Sequence, residues 1–158
     1  MPGSMVGARG WLIDTNVVSE LRKGARCARA VRTWSESVPP AACFISRVSL
    51  AEIRYGIEAV VDPVFRAELE AWMRDGVLPW FGARVIEVDE RVLIEWRRLF
   101  TMGRRENYTY SNPDALIAAT ARAYHLGVAT RNVADFARAE VRILNPWETG
   151  KAVTPTSG

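Results

Sequence analysis

Four acids stand where a carboxylate has chemical use. Asp14 directly follows the apolar run Trp11-Leu12-Ile13, where a charge is poorly placed unless it serves a site. Glu52 follows the β-like run ending at Ser46, with Ser49 and Gly56 at i−3 and i+4 leaving room beside it. Asp114 stands at the second position of a predicted helix, with Asn112 as N-cap and Pro113 at N1. Ala118 and Ala121 keep its stripe slim for close packing. Asp135 follows Val128-Ala129-Thr130 across a short turn. Four such groups in one small site disfavour one another's ionisation. A hard divalent cation with oxygen ligands, Mg2+ or Mn2+, would compensate them, and a metal-activated water could then cleave a phosphodiester. The plainer alternative leaves Glu52 on an exposed helix face, Asp114 as helix-terminus charge and Asp135 in a turn.

The surrounding pattern brings these acids to one place. Short apolar runs alternate with helical periodicities over Thr15–Lys23, Arg26–Ser37, Leu50–Val60, Phe65–Met73 (ended by Gly76), Val92–Phe100 and Pro113–His125. Further strands are expected at Ala42–Ser46, Arg84–Val88, Val128–Thr130 and Arg142–Leu144. This alternation predicts an α/β fold, a three-layer α/β/α domain with a mainly parallel central sheet. Ligands of such folds sit beyond the carboxyl ends of the strands, where all four acids fall.

The 158 residues, 49% hydrophobic and 25% charged, suit one globular domain. Residues 10–148 form it, with Gly/Pro/Ser/Thr-rich flexible ends at 1–9 and 149–158; Met5 is a second candidate start. Cys27 and Cys43 are too few for a secreted disulfide framework or a structural zinc site, and read as small reduced side chains of a cytoplasmic protein. No apolar run has the length of a membrane span or a signal peptide. Net charge is +3, and all the basic residues but Lys23 and Lys151 are arginine, so nucleic acid is an admissible partner. His125, the sole histidine, falls at a helix C-terminus and serves packing and the dipole, which leaves metal-activated water as the favoured nucleophile.

Neighbours of the acids have supporting roles to fill. Thr15, Asn16, Ser46, Thr130 and Asn132 could orient carboxylates or hold metal-bound water. Arg104 and Arg105, read as a basic loop before Asp114, and Arg131 are candidates for RNA contact. Among the tryptophans, Trp72 and Trp96 read as core, and Trp34 and Trp80 as surface for a protein partner.

These segments also carry a family pattern. Leu12-Ile13-Asp14-Thr15-Asn16-Val17-Val18-Ser19-Glu20 resembles the opening of PIN-domain ribonucleases. Ile45 to Gly56, Asn112 to Ala121 and Val128 to Phe136 resemble their second, third and fourth motifs. Leu78-Pro79-Trp80-Phe81 and Asn145-Pro146-Trp147 resemble the VapC/FitB branch. The resemblance implies a Mg2+-dependent endoribonuclease toxin with Asp14, Glu52, Asp114 and an acid near Asp135 at its metal site, acting on structured RNA such as tRNA or rRNA. It further implies a VapB-like antitoxin encoded nearby, a homodimer, hetero-oligomers with that antitoxin, and operator DNA reached only through it. Many relatives carry an acid directly after the Thr-Arg pair, where this chain has Asn132, so the fourth position is open between Asn132 and Asp135. The rivals are a PIN fold that mainly holds a DNA-binding antitoxin on its operator, and a metal-dependent DNA nuclease.

Overall fold

The computed structural model describes residues 10–148 and the backbone of 152–153; the expected flexible ends otherwise lie outside the described residues. The elements run β1 (Trp11–Ile13), α1 (Thr15–Arg22), α2 (Arg29–Ser37), β2 (Cys43–Ser46), α3 (Arg47–Glu58), α4 (Pro63–Trp72), α5 (Leu78–Phe81), β3 (Val85–Ile86), α6 (Glu90–Arg105), α7 (Asn112–Tyr124), β4 (Gly127–Ala129), α8 (Val133–Phe136), β5 (Ile143–Leu144) and β6 (Ala152–Val153). The sheet order is β3-β2-β1-β4-β5-β6, and every pairing is parallel except β5 with β6. The expected α/β/α fold is the one observed.

Strand residues alternate between two cores, as the two-residue period of a strand requires. Leu12, Ile86, Val128 and Ile143 join the core under α6 and α7. Ile13, Ile45, Ala129 and Leu144 join the core under α1, α2 and α4. Because β1 is covered on both faces, Asp14 enters at the strand's end with both flanks closed. Arg122 ties α6 to α7 and the segment beyond α8: its Nε donates to Glu95 at 2.9 Å and its Nη1 to the Ala139 carbonyl at 2.8 Å.

Several boundaries differ from the sequence reading. Gly76 does not end the fourth helix. A π-helical stretch, Met73–Val77, carries the chain through it into α5, because Met73, Val77 and Phe81 bury in one core; the turn comes at Gly82, with φ 53°. The helix expected from Arg26 starts at Arg29, after a 3-10 turn over Gly24–Arg26. Ser111, not Asn112, caps α7 by accepting from the Asp114 amide at 3.3 Å, which moves Pro113 one place inward. Arg104 and Arg105 form the last turn of α6 rather than a loop, where their charge suits the helix C-terminus. Trp34 is buried rather than at the surface, while Trp72 and Trp96 are only half-buried. Trp80 is exposed, with Arg84 stacked 4.7 Å from its ring centroid. Cys27 and Cys43 are free and buried, and burial pushes the Cys43 thiol up to about 11. His125 caps α7 in the left-handed conformation. No helix among the described residues is long and apolar enough to cross a membrane.

Candidate active site

The site is built where β1 and β4 end side by side. Asp14 is the N-cap of α1, its Oδ1 accepting from the Thr15 amide at 2.8 Å. Its Oδ2 accepts from Thr130 Oγ1 at 2.8 Å and from Asn16 Nδ2 at 3.2 Å. Asn16 spans the gap: Nδ2 also donates to Thr130 Oγ1 at 3.3 Å, and Oδ1 accepts from the Arg131 amide at 3.2 Å. Thr130 Oγ1 takes one more bond, from the Asn132 amide at 3.0 Å. Thr15, Asn16 and Thr130 thus hold the Asp14 carboxylate, and the Asn132 amide holds Thr130 in turn. Ser46 does otherwise: its hydroxyl accepts from the Val48 amide and caps α3, acting on Glu52 only by fixing that helix.

Asp14 is 4% exposed, and burial raises its pKa against these hydrogen bonds. Asp114, half-buried in the first turn of α7, is raised too, first by burial and then by the charges of Asp135 and Asp14, while Ser111 works the other way. Asp114 therefore lies within electrostatic reach of both Asp14 and Asp135. Asp135 lies in α8, and Asn132 immediately precedes that helix. Glu52 is exposed on α3 and shares a groove of about 600 Å³ with Thr15, Asn16, Arg131 and Trp147; beside it Gly56 leaves open space. A separate, apolar cavity of about 330 Å³ between α1, α2 and α5 carries none of the four acids.

No Lys or Arg side chain forms an ion pair with Asp14, Glu52, Asp114 or Asp135 among the described residues. Nor do three acids, cysteines or histidines there form a ready cage for an ion. Mg2+ is typically held by only one or two carboxylates and keeps several waters, so hard, uncompensated oxygen donors of this kind fit it. Of the candidate RNA-contact arginines, Arg131 lines the acid groove, whereas Arg105 faces a second groove along α6 with Leu93, Ile94 and Arg122. The sequence reading missed Trp147 as the support of Arg131, whose guanidinium stands 5.1 Å from its ring centroid. It also missed Glu20, which binds Lys23 at 2.7 Å and the Ala28 amide at 2.8 Å and so ties α1 to the start of α2.

Comparison with known proteins gives the family of this fold. The family model of the PIN domain matches residues 11–141. The chain is 33% identical over 137 residues to the VapC ribonuclease Y4jK of Sinorhizobium fredii, covering 87% of this chain and 97% of that one. It is 30% identical over 136 residues to toxin FitB of Neisseria gonorrhoeae, covering 86% and 97%. The crystal structure of FitAcB from Neisseria gonorrhoeae matches with a TM-score of 0.81 at 29% identity, covering 87% of this chain and 98% of that one.

Proposed function

The chain belongs to the PIN-domain family, and from that premise we propose that it is a Mg2+-dependent endoribonuclease, the toxin of a toxin–antitoxin pair. The observation that carries the reading is Asp14: a buried carboxylate, fixed by Thr130 and Asn16 and without a cationic partner, whose charge reaches Asp114, as that of Asp135 also does. Relatives named as a VapC ribonuclease and as a toxin support the same reading.

Asp14, Asp114, Glu52 and Asp135 would hold the metal. Bound there, the metal would supply charge neutralisation at the scissile phosphate and acidify a water. The chain's own part is positional. Thr130 and Asn16 hold Oδ2 of Asp14, the Thr15 amide holds Oδ1, and Arg131 offers a guanidinium to the phosphate backbone beside them. No histidine or cysteine is needed as nucleophile or base. The substrate would be a structured RNA such as tRNA or rRNA. A VapB-like antitoxin encoded beside the gene would hold the toxin inactive and would carry it to operator DNA, and the toxin itself would pair as a homodimer in the cytoplasm.

The test is RNA cleavage by the purified chain. Cleavage that appears with Mg2+ and stops with a chelator is expected; cleavage indifferent to the chelator would reject the metal mechanism, and cutting of DNA but not RNA would reject the substrate.

A further inference from the structure

Between Glu20 and Glu36 the chain carries no acid but has the cations Arg22, Lys23, Arg26, Arg29 and Arg32, all exposed. Their partners differ. Lys23 is paired with Glu20. Arg32 donates to the Gly24 and Ala25 carbonyls at 3.2 and 2.7 Å, clamping the turn between α1 and α2. Arg22, Arg26 and Arg29 have no ion-pair partner among the described residues. Folding gains little from this grouping. Arg29 stands in the first turn of α2, which has no acid of its own; the carboxylate at that helix start, Glu20 on the Ala28 amide, is already paired with Lys23. The resulting positive field is suited to a polyanion.

The segment adjoins the acid groove. Arg22 and Lys23 line the groove together with Phe65 and Trp72, and Arg131 lines it together with Trp147, Thr15 and Glu52. The Arg22 guanidinium stands 5.6 Å from the Phe65 ring centroid and 6.0 Å from that of Trp72. Two arginines of this groove, Arg22 and Arg131, thus each stand against aromatic rings. That pattern suits an unpaired strand, with phosphates on the guanidinium groups and bases on the rings, better than a duplex whose bases are already stacked.

We propose that Arg22, Arg26 and Arg29, with Arg131, form a track for a single-stranded stretch of the RNA flanking the scissile bond. The strand leaves the acids past Trp147, crosses Phe65 and Trp72, and continues over Arg26 and Arg29. This rests on the ribonuclease reading above and specifies which surface holds the substrate.

Binding is measured in the Asp14→Asn chain, so that cleavage does not interfere, by anisotropy of a fluorescein-labelled single-stranded RNA of mixed sequence across a salt series. Adding Arg22→Gln, Arg26→Gln and Arg29→Gln together is expected to flatten the slope of log Kd against log salt by about 2 and to weaken low-salt binding about ten-fold or more. The corresponding Arg→Lys triple is expected to keep the slope, and Arg97→Gln with Arg98→Gln on α6 to leave it unchanged. Cleavage of the same RNA by the unsubstituted chain with Mg2+ is run in parallel. Cleavage together with an unchanged slope in the Gln triple overturns the track alone; neither cleavage nor binding overturns the ribonuclease reading as well. A Gln triple that binds RNA normally but loses its antitoxin makes the patch a protein-docking surface and overturns the track.

Discussion

Thr130 donates a 2.8 Å hydrogen bond to Asp14 Oδ2 across 116 positions of sequence. The same hydroxyl oxygen accepts from Asn16 Nδ2 and from the Asn132 amide, so its donor and both acceptor sites are used. The Asp14 amide in turn donates to the Ala129 carbonyl at 3.0 Å. The carboxyl ends of β1 and β4 are thereby laced at side-chain and backbone level, and the carboxylate is fixed before any ligand arrives.

Thr130→Val keeps the shape but leaves Asp14, Asn16 and the Asn132 amide each short of a partner. It is expected to lower stability by about 1–3 kcal/mol in urea unfolding and to lower Mg2+-dependent cleavage, while Thr130→Ser retains both. Full stability in the Val variant would show that the hydroxyl is dispensable.

Asp14→Asn preserves size and removes the charge. Cleavage is expected to vanish while the fold, followed by circular dichroism, persists with equal or greater thermal stability, since a buried unpaired charge is removed. A variant that cuts RNA like the parent would remove Asp14 from the mechanism.

Burial raises the pKa of Asp14 and, with help from its acidic neighbours, that of Asp114. The folded state therefore holds these protons more tightly than the unfolded chain, whose aspartates titrate near 3.8. The associated stability is fully present below that pH and is lost as pH rises through the folded values. In metal-free protein the melting temperature should fall over that interval, and the fall should shrink in Asp14→Asn. At neutral pH saturating Mg2+ should restore stability by binding only the folded state. A melting temperature indifferent to Mg2+ would count against a clustered site.

Asp135 carries a charge that reaches Asp114, whereas Asn132 offers only a neutral amide. Asp135→Ala is expected to cost more activity than Asn132→Ala and to shift the Mg2+ midpoint upward, with excess Mg2+ restoring part of the rate. Titration of cleavage rate against Mg2+ in both variants checks this; an unmoved midpoint in Asp135→Ala gives the fourth position to Asn132.

The product of a small gene beside this one is expected to bind the chain and suppress cleavage, inserting an arginine among the uncompensated acids. Undiminished cleavage within a stable complex would exclude occlusion of the site.

The frame of the site was legible because β1, β2 and β4 are short apolar runs with polar residues immediately after them, and strand ends gather where a parallel sheet puts them. Boundaries set by competition were not. Ser111 and Asn112 are both good caps, and only the packed position of α7 chooses between them. Gly76 reads as a helix stop until the burial of Met73, Val77 and Phe81 outweighs it. Arg131 over Trp147 depends on where the chain beyond β5 returns, which no local pattern encodes.

The pairing of β1 with β4 has a consequence in time. A ribosome releases β1 before β4, and the register Trp11–Gly127, Leu12–Val128 and Ile13–Ala129 needs residues 116 positions further along the chain (127 − 11). Until then β1 has β2 alone beside it, Asp14 lacks the hydroxyl that fixes it, and Asp114 and Asp135 have nothing to gather around. Any chemistry of this site would thus wait on the closure of β1 against β4 rather than grow in step with chain length.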